Sequence, residues 1–199
     1  MASPVYADLI RPARPGLARL YDVSLVAGFS LLIALGAQVA IPLPFTPVPV
    51  TLQTFAVLLA ACLLGSVRGG LAVVLYLGEG FAGLPVFSGG TAGIAHLLGP
   101  TGGYLVGFVA AAYVAGLCAE RGLARRWAGA LLTFLAGDVV IFAAGAAWLA
   151  AWVGIGRAIP LGVLPFAAGE ALKIAAGWGI LAGAAAVVSD RAARSRADR

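Results

Sequence analysis

The chain is poor in charge. Only 11% of its 199 residues are Asp, Glu, Lys or Arg, where a soluble domain carries about 25%. It has one histidine, one methionine and two cysteines. Cys62 and Cys118 stand in apolar runs and read as small packing residues, not as a disulfide framework. No spacing of His, Cys and carboxylates resembles a metal centre, so no metal or other cofactor is expected. A GxxxxGK[ST] loop is also absent. Any use of ATP must therefore come from another protein.

What the chain has is apolar surface. Hydrophobic residues make up 62% of it and the mean hydropathy is +1.02. This is the composition of an all-α integral membrane protein. At about 20 residues per crossing, six helices fill most of its length. The expected spans are 23–42, 51–66, 69–87, 101–118, 128–152 and 165–188. The second is short, and Gly78, Gly80 and Gly83 interrupt the third. Residues 1–22 are then an N-terminal cytoplasmic segment, 23–188 a six-helix transmembrane domain, and 189–199 a basic cytoplasmic tail. The tail, DRAARSRADR, is expected to be disordered.

The arginines test that count. Arg11, Arg14 and Arg19 precede the first span, and Arg68 separates the second from the third. Arg121, Arg125 and Arg126 lie between the fourth and fifth, and Arg191, Arg194, Arg196 and Arg199 follow the sixth. With six spans all of these fall on one side, and only Arg157 lies in an opposite loop. The positive-inside rule then makes both termini cytoplasmic. The net charge of +5 is a rim facing the lipid bilayer and needs no nucleic acid.

Three features mark the outer side. The loop IPLPFTPVPVT (41–51) has four prolines and no charge. It is expected to be extended and semi-rigid, serving as a stiff turn or as a lid over a cavity. The segment 84–108 is dense in glycine, which lets backbone approach backbone or ligand closely. It either dips into the mouth of the bundle or forms a compact set of turns. The sixth span holds Glu170 and Lys173, three residues apart on one helix face. Charges at membrane depth usually face a bundle interior or a water-filled cavity, so this pair is the leading site candidate.

Other polar groups in the spans are Glu79, Asp138 and Gln53. Asp138 is expected to pair with a cation or hydroxyl and so fix helix packing. The glycines of GEGFAG (78–83) lack the βαβ setting of a dinucleotide site and carry no weight. Ser88 and His96 share an outer loop but have no third orienting residue and no GxSxG context, which argues against a hydrolase. Small residues recur along span one as Ser30 with Ala34 and Gly36 with Ala40. They fit internal packing or a docking face for a separate subunit.

The runs LGAQVAIPLPFTPVPVTLQTFAVLLAACLLG, LYLGEGFAGLPVFSGGTAG and LLGPTGGYLVGF, with GEALK in span six, resemble the BioY family. Those proteins are the biotin-binding S components of energy-coupling factor (ECF) vitamin transporters. The resemblance implies a six-helix fold in the bacterial cytoplasmic membrane, with biotin held near the outer face under a loop lid. It implies action with a transmembrane coupling subunit and ABC ATPase subunits, or in some bacteria without them, and leaves room for a homo-oligomer. The family's acid and lysine on the last helix correspond to Glu170 and Lys173. The family commonly has Asp at the acid position, and Glu here reaches one methylene further. Ser88, His96 and Tyr104 are candidates for the family's polar residues between spans three and four. Phe45, Phe87 and Tyr104 are candidates to cover the sulfur-containing ring, with Gln53 and Glu79 as further polar candidates. The rival reading is a self-contained oligomeric facilitator or channel for a small solute.

Overall fold

The computed structural model describes residues 3–197, with side chains as far as residue 184. A 3-10 turn at Tyr6–Ile10 precedes α1 (Pro15–Gln38), whose Pro15 suits a first helical turn. A two-residue hairpin of β1 (Ala40–Ile41) and β2 (Val50–Thr51) follows, with Ala40 opposite Thr51. Then come α2 (Gln53–Leu64), α3 (Ser66–Phe81), the short α4 (Ile94–Leu98), α5 (Gly102–Glu120) and α6 (Trp127–Val153). The short α7 (Ile155–Gly162) leads into α8 (Ala167–Ala197).

Four stretches are long and apolar enough to cross a membrane: Pro15–Gln38, Gly102–Glu120, Trp127–Val153 and Ile155–Ala184. Their outward faces carry exposed residues such as Leu31, Leu132 and Leu172. Apolar faces of this extent fit a multi-pass membrane protein, where acyl chains cover them.

The spans expected at 51–66 and 69–87 are shorter in the structure. Gly65 adopts φ +86°, which breaks the helix and separates α2 from α3. α2 is twelve residues long, or about 18 Å at 1.5 Å per residue. It is buried almost all round, from Gln53 to Leu64, and occupies the middle of the bundle between α5, α1 and α3. α3 ends at Phe81, and the chain turns at Gly83. Residue 87 therefore belongs to a loop. Phe87 folds back onto α3 at Gly80, where a Cβ would collide with its ring. The tail expected to be disordered continues α8 to Ala197. No Gly or Pro interrupts it, and Ala and Arg are strong helix formers. Asp198 and Arg199 lie outside the described residues.

Polar contacts tie each end of the bundle. At one end Arg68 bridges Asp8 and Asp22, and Arg11 pairs with Asp22 at 2.6 Å. The Arg125 guanidinium donates to the Pro4 carbonyl. Glu120 accepts from both the Ser66 N–H and its hydroxyl at 2.7 Å, covering the start of α3. At the opposite end Thr46 donates to the Leu161 carbonyl at 2.9 Å and fastens the proline loop to α7. Trp148 Nε1 donates to the Gly99 carbonyl at 2.9 Å. The small residues of α1 face inward: Ser30, Ala34 and Gly36 are buried, and a Cβ on Gly36 would press on the Leu52 backbone. These three pack inside the bundle, whereas Ala40 lies in β1 and is half-buried.

Candidate functional site

At the end away from the Arg11, Arg68 and Arg125 cluster, a cavity opens between the proline loop, the glycine-rich segment and the bundle. The loop contributes Val48 and Pro49, held by the hairpin beneath them. α2 contributes Gln53 and Thr54 from its first turn, and α8 contributes Glu170 and Lys173 from its first two turns. The glycine-rich segment brings Ser88, His96 and Thr101 to the mouth. Aromatic rings of α5, α6 and the turn before α8, namely Tyr104, Phe108, Phe142 and Phe166, form much of the apolar wall.

The charged pair is the cavity's main polar feature. Lys173 Nζ donates to Glu170 Oε1 at 2.7 Å and to Thr54 Oγ1 at 3.0 Å. Thr54 Oγ1 donates in turn to Glu170 Oε2 at 2.9 Å. Glu170 is 7% exposed and Lys173 8%. A buried ion pair adds little net stability, because desolvation offsets the attraction. It does hold a fixed acceptor and a fixed donor at an apolar wall. A carboxylate has about four lone-pair sites and an ammonium three donors. Acceptor capacity therefore remains on Glu170, and one N–H remains on Lys173.

The other polar residues are held in specific ways. Gln53 Nε2 donates to the Tyr76 hydroxyl at 2.6 Å, and its Oε1 accepts from Thr51 at 3.2 Å. The Tyr104 hydroxyl donates to the Gly162 carbonyl at 2.7 Å. Gly145 makes room for that ring, since a Cβ there would collide with it. Tyr104 therefore offers its face more than its hydroxyl. The His96 ring stacks on Phe87 with centroids 5.0 Å apart. Its Nδ1 lies 3.0 Å from the Thr91 hydroxyl and its Nε2 3.4 Å from that of Thr101. Burial pushes its pKa below the usual 6.5. Ser88 and His96 share the cavity, yet the hydroxyls at the imidazole belong to threonines. No serine–histidine dyad is formed.

Several expected positions lie elsewhere. Phe45 is 58% exposed on the loop and is not in the wall, whereas its neighbour Thr46 is buried and tied to Leu161. Phe87 is fully buried behind His96. Glu79 accepts from Ser30 at 2.8 Å and joins α3 to α1 away from the cavity. Asp138 does not make the expected pair: both its oxygens are buried without a hydrogen-bond partner. Thr54, Thr101, Phe108, Phe142 and Phe166 were not singled out in the sequence. Thr54 had a usable signal, since it adjoins Gln53 at the start of an apolar helix. Among the described residues no group of His, Cys, Asp and Glu is placed to hold a metal.

The chain resembles several known proteins. It is 46% identical over 132 residues to the probable biotin transporter BioY of Pyrococcus horikoshii, covering 66% of this chain and 76% of that one. It is 47% identical over 117 residues to the biotin transporter BioY of Thermotoga maritima, covering 59% of this chain and 67% of that one. A crystal structure of the S-component for biotin from an ECF-type ABC transporter superposes with a TM-score of 0.77 at 28% identity, over 85% of this chain and 93% of that one. The sequence pattern of the BioY family extends over residues 11–190, nearly the whole chain, and this chain belongs to that family.

Proposed function

We propose that this chain takes up biotin across the cytoplasmic membrane as the substrate-binding component of an ECF-type transporter. It is a transporter and not an enzyme. The observation that carries this reading is the buried Glu170–Lys173–Thr54 cluster in the wall of an aromatic cavity, in a chain whose relatives are named biotin transporters.

The chemistry matches. Biotin has a ureido group with two N–H donors and one carbonyl, a thioether ring and a valerate carboxylate. Glu170 accepts a ureido N–H, and the third N–H of Lys173 meets either the ureido oxygen or the carboxylate. Phe108, Phe142, Phe166 and the face of Tyr104 cover the sulfur-containing ring. Ser88, His96 and Thr101 supply polar contacts at the mouth, and Gln53 holds the start of α2 in place. This is the usual make-up of a small-molecule pocket, mostly apolar with a few fixed polar groups.

In this reading α1, α2, α3, α5, α6 and α8 are six crossings, and both termini are cytoplasmic. Support comes from Arg11, Arg68 and Arg125, which gather around the N-terminal segment at one end, while the cavity opens at the other. The cavity then faces outward, with the proline loop as its lid. Energy comes from a coupling subunit and ABC ATPase subunits. The solitary facilitator is less favoured, because the solved relative is a component of an ABC transporter. Equilibrium binding of labelled biotin to the purified chain tests the proposal. Saturable binding displaced by unlabelled biotin is expected, and absence of such binding refutes it.

A further inference from the structure

Among the described residues, the buried side-chain atoms left without a hydrogen-bond partner are the two carboxyl oxygens of Asp138. The residue is 7% exposed. A carboxyl group buried in this way is costly unless it is paired or hydrogen-bonded.

Two contacts fix its place. One turn toward the arginine end, Phe134 of α6 packs against Gly177 of α8. One turn toward the cavity, Phe142 of α6 packs against Phe166, with centroids 5.7 Å apart. The two helices run antiparallel. Asp138, midway along α6, therefore falls opposite the turn of α8 that carries Glu170 and Lys173. From α2, Leu58 fills the space against the adjacent Gly137 and offers no polar group.

Lys173 is paired with Glu170, and a second, unpartnered acid stands on the facing helix. Lys173 gives one donor to Glu170 and one to Thr54, and an ammonium has a third. We propose that Asp138 is a second counter-charge for Lys173, taken up when the N–H donors of a ligand occupy Glu170. The ammonium then stays neutralised while its bond to Glu170 loosens. This rests on the reading of Glu170 as a ligand contact. Asp138 is a positioning residue that acts through Lys173 and does not touch the ligand.

Thermal unfolding of the full chain in detergent tests the pairing without ligand. Asp138→Asn alone should lower Tm little, because Glu170 still holds Lys173. In a Glu170→Gln background Asp138 is the remaining counter-charge. There Asp138→Asn should cost at least about 5 °C more than in the wild type, since an unpaired buried charge is strongly destabilising. Adding Lys173→Met to the double variant should restore stability. Equal losses in the two backgrounds, or a triple variant no more stable than the double, would overturn the pairing. If the double variant does not accumulate, recovery of folded protein by Lys173→Met is the expected result, and no recovery overturns it. With ligand, Asp138→Asn should weaken labelled-biotin binding at least about fivefold, on the scale of one lost polar partner. Unchanged affinity would overturn the switch. A wild-type chain that binds no biotin refutes the biotin reading, while the Tm comparison still decides the pairing.

Discussion

Thr54 and Glu170, 116 residues apart in sequence, are joined by a hydrogen bond of 2.9 Å, and Lys173 closes the triangle through both. The first turn of α2 is thereby fastened to the first turn of α8. The two charges are held in one orientation at the cavity wall. Thr54→Val keeps the shape and removes the hydroxyl. It should weaken biotin binding by about 1–1.5 kcal/mol, or roughly five- to tenfold, with little change in expression. Isothermal titration of the purified variant checks this, and wild-type affinity would show that the two helices hold the pair without the threonine.

Packing on α1 has a different signature. Gly36 lies against the Leu52 carbonyl, with 3.1 Å between that oxygen and the site of a Cβ. Gly36→Leu should therefore destabilise the isolated chain, by about 1–3 kcal/mol for overpacking, and biotin binding should fall with it. A variant that melts like the wild type but loses only ATP-driven uptake would instead make this face a subunit interface.

Topology is open to direct labelling. In a background lacking Cys62 and Cys118, a cysteine at position 92 should react with a membrane-impermeant reagent from outside. A cysteine at position 123 should react only after the membrane is opened. The expectation rests on the arginine-rich end being cytoplasmic. The reverse pattern would invert the molecule.

His96 sets a pH dependence. Burial lowers its pKa in the folded chain below the 6.5 of the free side chain, so the unfolded chain binds the extra proton first. Its contribution to stability is complete above pH 6.5 and is lost as pH falls through the lowered native value. Melting curves between pH 8 and 5 should show this loss in the wild type and a smaller one in His96→Gln. Identical pH profiles would remove His96 from the account.

Much of this arrangement was legible in the sequence, for physical reasons. A lone lysine three residues from an acid in an apolar run has few explanations other than a lined cavity. The prolines of 41–51 marked a stiff loop, which the hairpin and Thr46 hold beside the cavity. The aromatic wall was not legible. Phe108, Phe142 and Phe166 look like any lipid-facing residue until the helices are packed, whereas Phe45 and Phe87, beside conspicuous loop motifs, drew attention and lie outside the wall. The lengths of α2 and α3 were also hidden. Arg68 marked a break between the two spans, but its exact place, at the positive φ of Gly65, shows only in the backbone.

The central claim is that biotin is held by Glu170 and Lys173. Equilibrium binding of labelled biotin to detergent-purified Lys173→Met and Glu170→Leu tests it most directly. Each should bind at least about tenfold more weakly than the wild type, the 1.4 kcal/mol expected when a buried ligand group loses a polar partner. Near-normal affinity in both folded variants would contradict the account.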